Sequence, residues 1–148
     1  MTFAVSTANR EPNMSAGDMV PLSMGITKIW KGDIVLCKAD GYAYSAYATG
    51  ATGDKFMGVA AETVDNTGGS AGDETINVYT TGVFEFTTYA TVTIADVGTI
   101  VDNDVSSNGK AYYVAAAGTH TCAVGSVVEF VDGNTLRVLI NANSAVAT

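Results

Sequence analysis

The sequence predicts an all-β protein, a small barrel or sandwich of short antiparallel strands led in by an extended N-terminal arm. Two observations carry that prediction. From Ile26 onward, short apolar runs alternate with polar stretches and are punctuated by glycine, of which the chain has 16 against 2 prolines. Nothing sustains a helical period beyond a single turn at Ile94 to Val97.

Residues 1 to 25 stand apart. They hold both prolines, Pro12 and Pro21, and Met14, Met19 and Met24 besides the initiator, with neither helical nor strand periodicity. An apolar, Met-rich stretch of this kind reads as an arm outside the core, weakly ordered or ordered by something outside the domain. The β domain then spans residues 26 to 148. Within it, Ile34-Val35-Leu36-Cys37 and Tyr42-Ala43-Tyr44-Ser45-Ala46-Tyr47 flank Asp40-Gly41 and read as a hairpin. Phe56 to Val64 is the next strand, followed by the glycine loop Asp65-Asn66-Thr67-Gly68-Gly69-Ser70-Ala71-Gly72-Asp73. Thr75 to Thr80 and Val83 to Thr87 flank Gly82; later strands are Thr99 to Val101, Lys110 to Val114, Val127 to Val131, and Thr135 to Ile140 after Asp132-Gly133-Asn134.

An internal echo suggests two similar meanders. Gly32-Asp33-Ile34-Val35 resembles Gly98-Thr99-Ile100-Val101, the stretch from Gly58 to Asp65 resembles that from Gly125 to Asp132, and Thr75-Ile76-Asn77-Val78 resembles Thr135-Leu136-Arg137-Val138. Packed together, two such meanders would make one barrel with approximate twofold symmetry.

The 148 residues fit one domain, able to bury roughly 70% of its unfolded surface without a staple. Charged residues make up 15% of the chain, below the usual ~25%, so Thr, Ser, Asn, Gly and Ala must cover much of the surface. Seven Lys and Arg against fifteen Asp and Glu give a net charge of -8. That balance lacks the basic footprint of nucleic-acid binding and disfavours anionic membranes. The apolar runs are too short to cross a bilayer, and the first residues lack a signal peptide's basic and apolar regions, so synthesis and folding in a cytoplasm are expected. Cys37 and Cys122 pair only if the fold joins them; in a reducing compartment they read as two small buried hydrophobes.

No catalytic or cofactor signature emerges, and no enzyme is expected. His120 stands in a small polar loop with no nucleophile elbow, and one His with two Cys makes no zinc set. Asp102-Asn103-Asp104-Val105-Ser106-Ser107-Asn108-Gly109 is oxygen-rich, but its glycine is misplaced for a calcium loop and Tyr113 stands where the closing glutamate belongs. Gly68, Gly69 and Gly72 precede no Lys-Ser or Lys-Thr and open no helix, so they are no phosphate cradle. Glu62 and Glu129 hold equivalent places in the two meanders, as a glycosidase pair might, yet each alternates with apolar neighbours like a solvent-facing strand residue. Of the aromatics, Tyr42 and Tyr44 share a strand face, and Trp30 reads either as core or as an exposed contact.

Several segments together carry a resemblance: Lys31-Gly32-Asp33-Ile34-Val35, the run from Gly53 to Asp65, the run from Glu74 to Phe86, Asp96 to Val101, Ala123 to Phe130, and Leu136 to Ile140. Spanning about Lys31 to Asn141, they resemble the small capsid decoration, or cement, proteins of tailed bacteriophages. The likeness rests on glycine placement and β alternation. It implies a β-barrel or β-tulip domain on the outer surface of the expanded head, commonly a homotrimer, made in the host bacterial cytoplasm. Its partner would be the major capsid protein lattice, with neither nucleic acid nor membrane involved.

The resemblance also implies an arm that ties neighbouring capsomers together. Phe3, Val5, Arg10, Pro12, Met14, Met19, Val20, Pro21 and Leu22 are the expected lattice contacts, and Trp30 and Tyr44 the expected oligomer contacts. The rival readings are a glycan-binding or head-fibre-base module using exposed tyrosines, a tail-tube or baseplate component, and an enzyme built on His120 or on the Glu62 and Glu129 pair.

Overall fold

The computed structural model describes residues 18–46, 54–103, 113–116, 122–140 and 142. Among them the chain is all-β, as its pattern predicts. The strands are β1 Met19–Ser23, β2 Lys28–Ile29, β3 Ile34–Cys37, β4 Ala43–Ser45, β5 Lys55–Ala60 and β6 Val64–Asp65. They continue with β7 Thr75–Tyr79, β8 Val83–Thr87, β9 Ile100–Asn103, β10 Val114–Ala116, β11 Ala123–Asp132 and β12 Thr135–Ile140. A single 3-10 turn, Ile94–Asp96, occupies the predicted helical spot; the Thr93 amide donates to Asp96 Oδ2 at 2.8 Å, and Thr93 Oγ1 accepts from the Ala95 amide at 3.2 Å.

The turns follow from their side chains. At the β3–β4 hairpin, Asp40 Oδ1 accepts from the Tyr42 amide at 2.9 Å while Gly41 takes φ 83°, where a Cβ is strained. At the β11–β12 hairpin, Asp132 Oδ1 accepts from the Asn134 amide at 2.9 Å. In the glycine loop, the buried Asn66 donates through Nδ2 to the carbonyls of Gly25 and Ser70, each at 3.0 Å, clamping the loop to the lead-in. The single strand expected from Phe56 to Val64 is instead β5, a bend, and β6. The bend is held where Thr63 Oγ1 accepts from the Lys31 amide at 2.9 Å.

The internal echo is a repeat of topology. One five-stranded sheet has the order β4-β3-β5-β7-β1 and the other β10-β9-β11-β12-β8, so the same five-strand path is traced twice. All strand ladders are antiparallel. The match extends to single bonds. Gly32 N–H donates to Ala60 O and Ala60 N–H to Asp33 O, both at 2.9 Å; in the second half Gly98 N–H donates to Val127 O at 2.7 Å and Val127 N–H to Thr99 O at 2.9 Å. Both halves carry a bulge at the same step: Val35 faces Gly58 and Leu36 faces Phe56, as Val101 faces Gly125 and Asp102 faces Ala123. Beside each bulge a glycine is obligatory, since a Cβ on Gly58 would strike the Tyr79 carbonyl and one on Gly125 the Leu139 carbonyl.

Each sheet curls until its edge strands touch at one parallel bridge, Met24 with Ala43 and Thr87 with Tyr113. Neither sheet closes along its length among the described residues, so the fold is two curled sheets and not one barrel built from both meanders. Twofold symmetry is absent too. Along β3, Val35 and Cys37 enter a cluster with Met24, Ile29, Ala43, Ala60, Ile76 and Val78, all from the first half. The alternate residues Ile34 and Leu36 enter a second cluster that holds Val101, the counterpart of Val35, with Val124, Val127, Leu136 and Val138. The outer face of the first sheet therefore packs on the inner face of the second, a head-to-tail arrangement. The inner face of the first sheet is stoppered instead by the β2–β6 pair, through the fully buried Ile29 and the half-buried Val64.

The arm expected over residues 1 to 25 is corrected at its C-terminal end. Met19 to Ser23 form edge strand β1, in register with β7 from Met19 opposite Tyr79 to Ser23 opposite Thr75. Val20 and Leu22 pack against the first-half cluster, and Met24 is fully buried within it. Pro21 fits because it sits on an edge strand, where a missing N–H costs least.

Candidate interaction surfaces

Of the expected lattice contacts, Phe3, Val5, Arg10, Pro12 and Met14 lie outside the described residues. Val20 and Leu22 are corrected, because their side chains face the core cluster and are not free for a partner. Met19 and Pro21 occupy the opposite, exposed face of β1. The chain joins the sheet at Asp18, whose carbonyl accepts from the Thr80 amide at 2.8 Å and from Thr80 Oγ1 at 3.2 Å.

The expected oligomer contacts separate. Trp30 is 57% exposed, which overturns its reading as core, with Lys28 Nζ 3.8 Å above its ring. Its backbone is fixed, the amide donating to Asp33 Oδ2 at 3.0 Å. Asp33 is itself buried and accepts from Ser45 Oγ at 3.2 Å; burial pushes its carboxyl above the ordinary carboxylate range, a rise the two hydrogen bonds oppose. Tyr44, by contrast, is engaged internally. Its hydroxyl donates to Asp40 Oδ2 at 2.8 Å, and its ring lies so close over Gly25 that any Cβ there would collide with it. Tyr42 lies beside Gly72 more loosely, with room for a Cβ between them, and both tyrosines are half-buried, so the expected face of Tyr42 and Tyr44 is no open platform.

Glu62 Oε1 accepts from the Asn77 amide at 3.3 Å, whereas Glu129 Oε2 is paired with Arg137 Nη1 at 2.8 Å on the other sheet. The two do not share a site. Cys37 and Cys122 are buried free thiols in different clusters. Cys122 Sγ lies 2.9 Å from the Asp54 carbonyl; burial, then the carboxylates of Asp54 and Asp102, pushes its thiol up to about 11. Asp102 and Asn103 are buried in β9, and Asn103 Oδ1 accepts from the Cys122 amide at 2.9 Å, so they belong to the sheet; the rest of that oxygen-rich stretch and His120 lie outside the described residues. No cluster of His, Cys, Asp or Glu able to hold a metal occurs among the described residues, and no helix of theirs is long and apolar enough to cross a membrane.

No family model matches the chain. Nor does any curated protein.

One surface has no counterpart in the sequence reading. On the outer face of the second sheet, Val83 stands opposite Leu139, Leu139 opposite Ser126, and Ser126 opposite Ile100, one row across four adjacent strands. Val83, Leu139 and Ile100 are 52%, 47% and 43% exposed. Two residues along the strands lies Arg137, between Glu85 Oε2 at 3.4 Å and Glu129 Oε2 at 2.8 Å. The signal for this row was present in the alternation of Leu136-Arg137-Val138-Leu139-Ile140, where an outward position carries leucine.

Proposed function

We propose that the protein is a structural virion protein that binds the outer surface of an expanded bacteriophage capsid and reinforces it by bridging neighbouring major capsid protein subunits. The observation that carries this reading is the junction between the N-terminal segment and the folded body. A strap that ties capsomers together must be fastened at its own end. Here the low-charge stretch that precedes Asp18, with one Arg and one Glu in 17 residues, leads into a five-residue strand whose Val20 and Leu22 pack against the core cluster, followed by the buried Met24. The all-β body, the weakly charged surface and the net charge of -8 support a protein that stays soluble at high copy number and avoids packaged DNA.

The mechanism is thermodynamic linkage. A protein that binds only the expanded shell stabilises that state by its binding free energy. Self-association, expected as a homotrimer, multiplies the arms on one particle and raises avidity through effective concentration.

The test mixes purified protein with expanded heads lacking decoration and reads co-sedimentation and the heads' thermal resistance. Full-length protein is expected to bind and protect, and a chain lacking residues 2 to 17 to bind more weakly while melting at the same temperature. The cut falls before Asp18 because a deletion reaching Gly25 would remove β1 and unfold the sheet. Absence of binding by the full-length chain would sink the reading.

A further inference from the structure

We infer that the row Val83, Leu139, Ser126 and Ile100 on the outer face of the second sheet is the seat of this chain's own N-terminal segment, residues 1–17, while the protein is free in solution. An antiparallel sheet normally turns polar residues to water on its uncovered face. This one carries three large aliphatic side chains in a single exposed row. Contiguous apolar surface of this kind marks an interaction site.

The repeat indicates that the cover comes from within the chain. In the first half the register-equivalent row is Met19, Tyr79, Val59 and Ile34. Ile34 and Val59 are buried there in the cluster shared with the second sheet, and Tyr79 meets Phe84 with ring centroids 5.6 Å apart. Neither sheet has a face left for the second row: the first sheet's inner face is stoppered by β2 and β6, and the second's lies on the first sheet. The chain's remaining segments are those outside the described residues.

Among them, residues 1–17 join the body beside the row. Asp18 accepts from the Thr80 amide at 2.8 Å through its carbonyl and from Thr81 Oγ1 at 3.1 Å through Oδ1, and Val83 follows two residues after Thr81. With strands ~4.8 Å apart the row spans about 14 Å, whereas 17 extended residues at ~3.3 Å each reach about 55 Å. The other segments fit less well. Residues 117–121 are five small or polar residues and His120, tied at both ends; residues 104–110 hold one aliphatic side chain, Val105; residues 47–53 join two strands of the first sheet. The C-terminal tail follows Ala142, which packs against the inner cluster on the opposite side of the second sheet.

The chemistry matches as well. Arg137 lies between Glu85 and Glu129 and neutralises only one of them, so a negative charge stands beside the apolar row. Residues 1–17 bring the apolar Phe3, Val5 and Met14 with a single cation, Arg10. In an extended chain Arg10, Pro12 and Met14 share one face and Glu11 takes the other, so apolar groups and the cation turn to the sheet together. A segment in which Arg10 and Glu11 cancel also avoids the repulsion that a second copy of net charge -8 would meet. The seat holds the strap on its own body until a lattice offers the stronger contact, so lattice binding is coupled to release of the row. That role rests on the decoration reading; the contact itself does not, and its test involves no capsid.

The test is NMR on the full chain carrying a nitroxide at Ser6→Cys, the native cysteines being buried. Paramagnetic broadening is expected to be strongest at the amides of Val83, Ile100, Ser126 and Leu139. Leu139→Arg, shown by a thermal melt to be folded, is expected to lose that broadening and to be cut by trypsin at Arg10 about tenfold faster, as loss of one buried leucine contact implies. Should Leu139→Arg fail to fold, a chain lacking residues 2 to 17 decides, with amide shifts expected along the row. Broadening that is absent or strongest elsewhere overturns the inference, as does an unchanged tryptic rate in folded Leu139→Arg or a deletion that leaves the row's resonances in place. A mixture of nitroxide-bearing chain with isotope-labelled chain free of nitroxide separates strap from copy: broadening of the row in that mixture overturns the inference and assigns the seat to a second copy. Failure to protect expanded heads, with the intramolecular contact intact, would count against the decoration reading alone.

Discussion

The two halves of the molecule trace one strand order, with matched hydrogen bonds and matched bulges, yet they bury their apolar surface by different means. The first half fills its inner face with its own β2–β6 stopper and gives its outer face to its neighbour; the second fills its inner face with that neighbour and, among the described residues, leaves its outer face uncovered. The difference is written in the paired strands β3 and β9. Ile34-Val35-Leu36-Cys37 is apolar on both faces and buried throughout, whereas Ile100-Val101-Asp102-Asn103 contributes one aliphatic residue to the core. A repeated fold thus tolerates two packing solutions when a single strand changes its outward residues.

The strongest probe of this asymmetry is Phe56, a first-half residue buried in the shared cluster. Phe56→Ala is expected to cost about 3 to 5 kcal/mol in urea denaturation and to destabilise both halves in one transition. Two separate transitions, with only the first half affected, would break the head-to-tail arrangement. Next come the paired glycines. Gly58→Ala and Gly125→Ala each drive a Cβ into a backbone carbonyl, and a loss of about 1 to 3 kcal/mol is expected from both, with Gly58 the costlier because it also holds φ 145°. Indifference of either site would undo the equivalence of the two bulges.

Asp33 is a smaller lever and belongs to the first half alone, its counterpart being Thr99. Asp33→Ala removes the acceptor of the Trp30 amide and one hydrogen bond of Ser45, at about 1 to 2 kcal/mol. The folded-state pKa of Asp33 is raised above the ordinary 3.8, chiefly by burial, so the folded chain holds this proton more tightly than the unfolded one. Its contribution is fully present below about pH 3.8 and is lost as the pH rises through the folded value. Asp33→Asn should therefore cost less than Asp33→Ala at neutral pH and abolish this gain on acidification, so that stability falls more steeply toward low pH than in the wild type; an unchanged profile would remove Asp33 as a contributor.

The smallest effect is chemical. Cys37 pairs with Lys55 across the first half's β3–β5 ladder, while Cys122 and Asn103 hold the exchanged positions in the second. Burial raises both thiols, but Lys55 draws Cys37 back down and Asp54 and Asp102 push Cys122 further up. At pH 8 iodoacetamide should label folded protein slowly, at Cys37 before Cys122, and unfolded protein at both alike. The reverse order would contradict that assignment of charges.

Much of the fold was legible because turns and strands have local causes. Asp40-Gly41 and Asp132-Gly133-Asn134 placed their hairpins, and the echo of Gly58 with Gly125 located the repeat. Strand β1 was missed although Val20, Leu22 and Met24 alternate correctly, because Pro21 and the methionines obscured a period of two. The head-to-tail packing was not legible, since it depends on which face each half offers the other, a long-range choice that strand periodicity leaves open. Trp30 stayed open between core and contact for a related reason: an indole carries no mark of its exposure, and Lys28 lies over it only once β2 is formed.

The same packing sets an order of completion as the chain is made. All partners of the first sheet have emerged once Tyr79 has been synthesised, but the outward Ile34, Leu36, Phe56 and Val59 wait for cover until β12, which joins β8 to β11 and is the last strand of the second sheet to be made. Between those two moments a nascent chain displays the apolar side of a finished sheet, the interval in which neighbouring chains on one message are most prone to stick to each other.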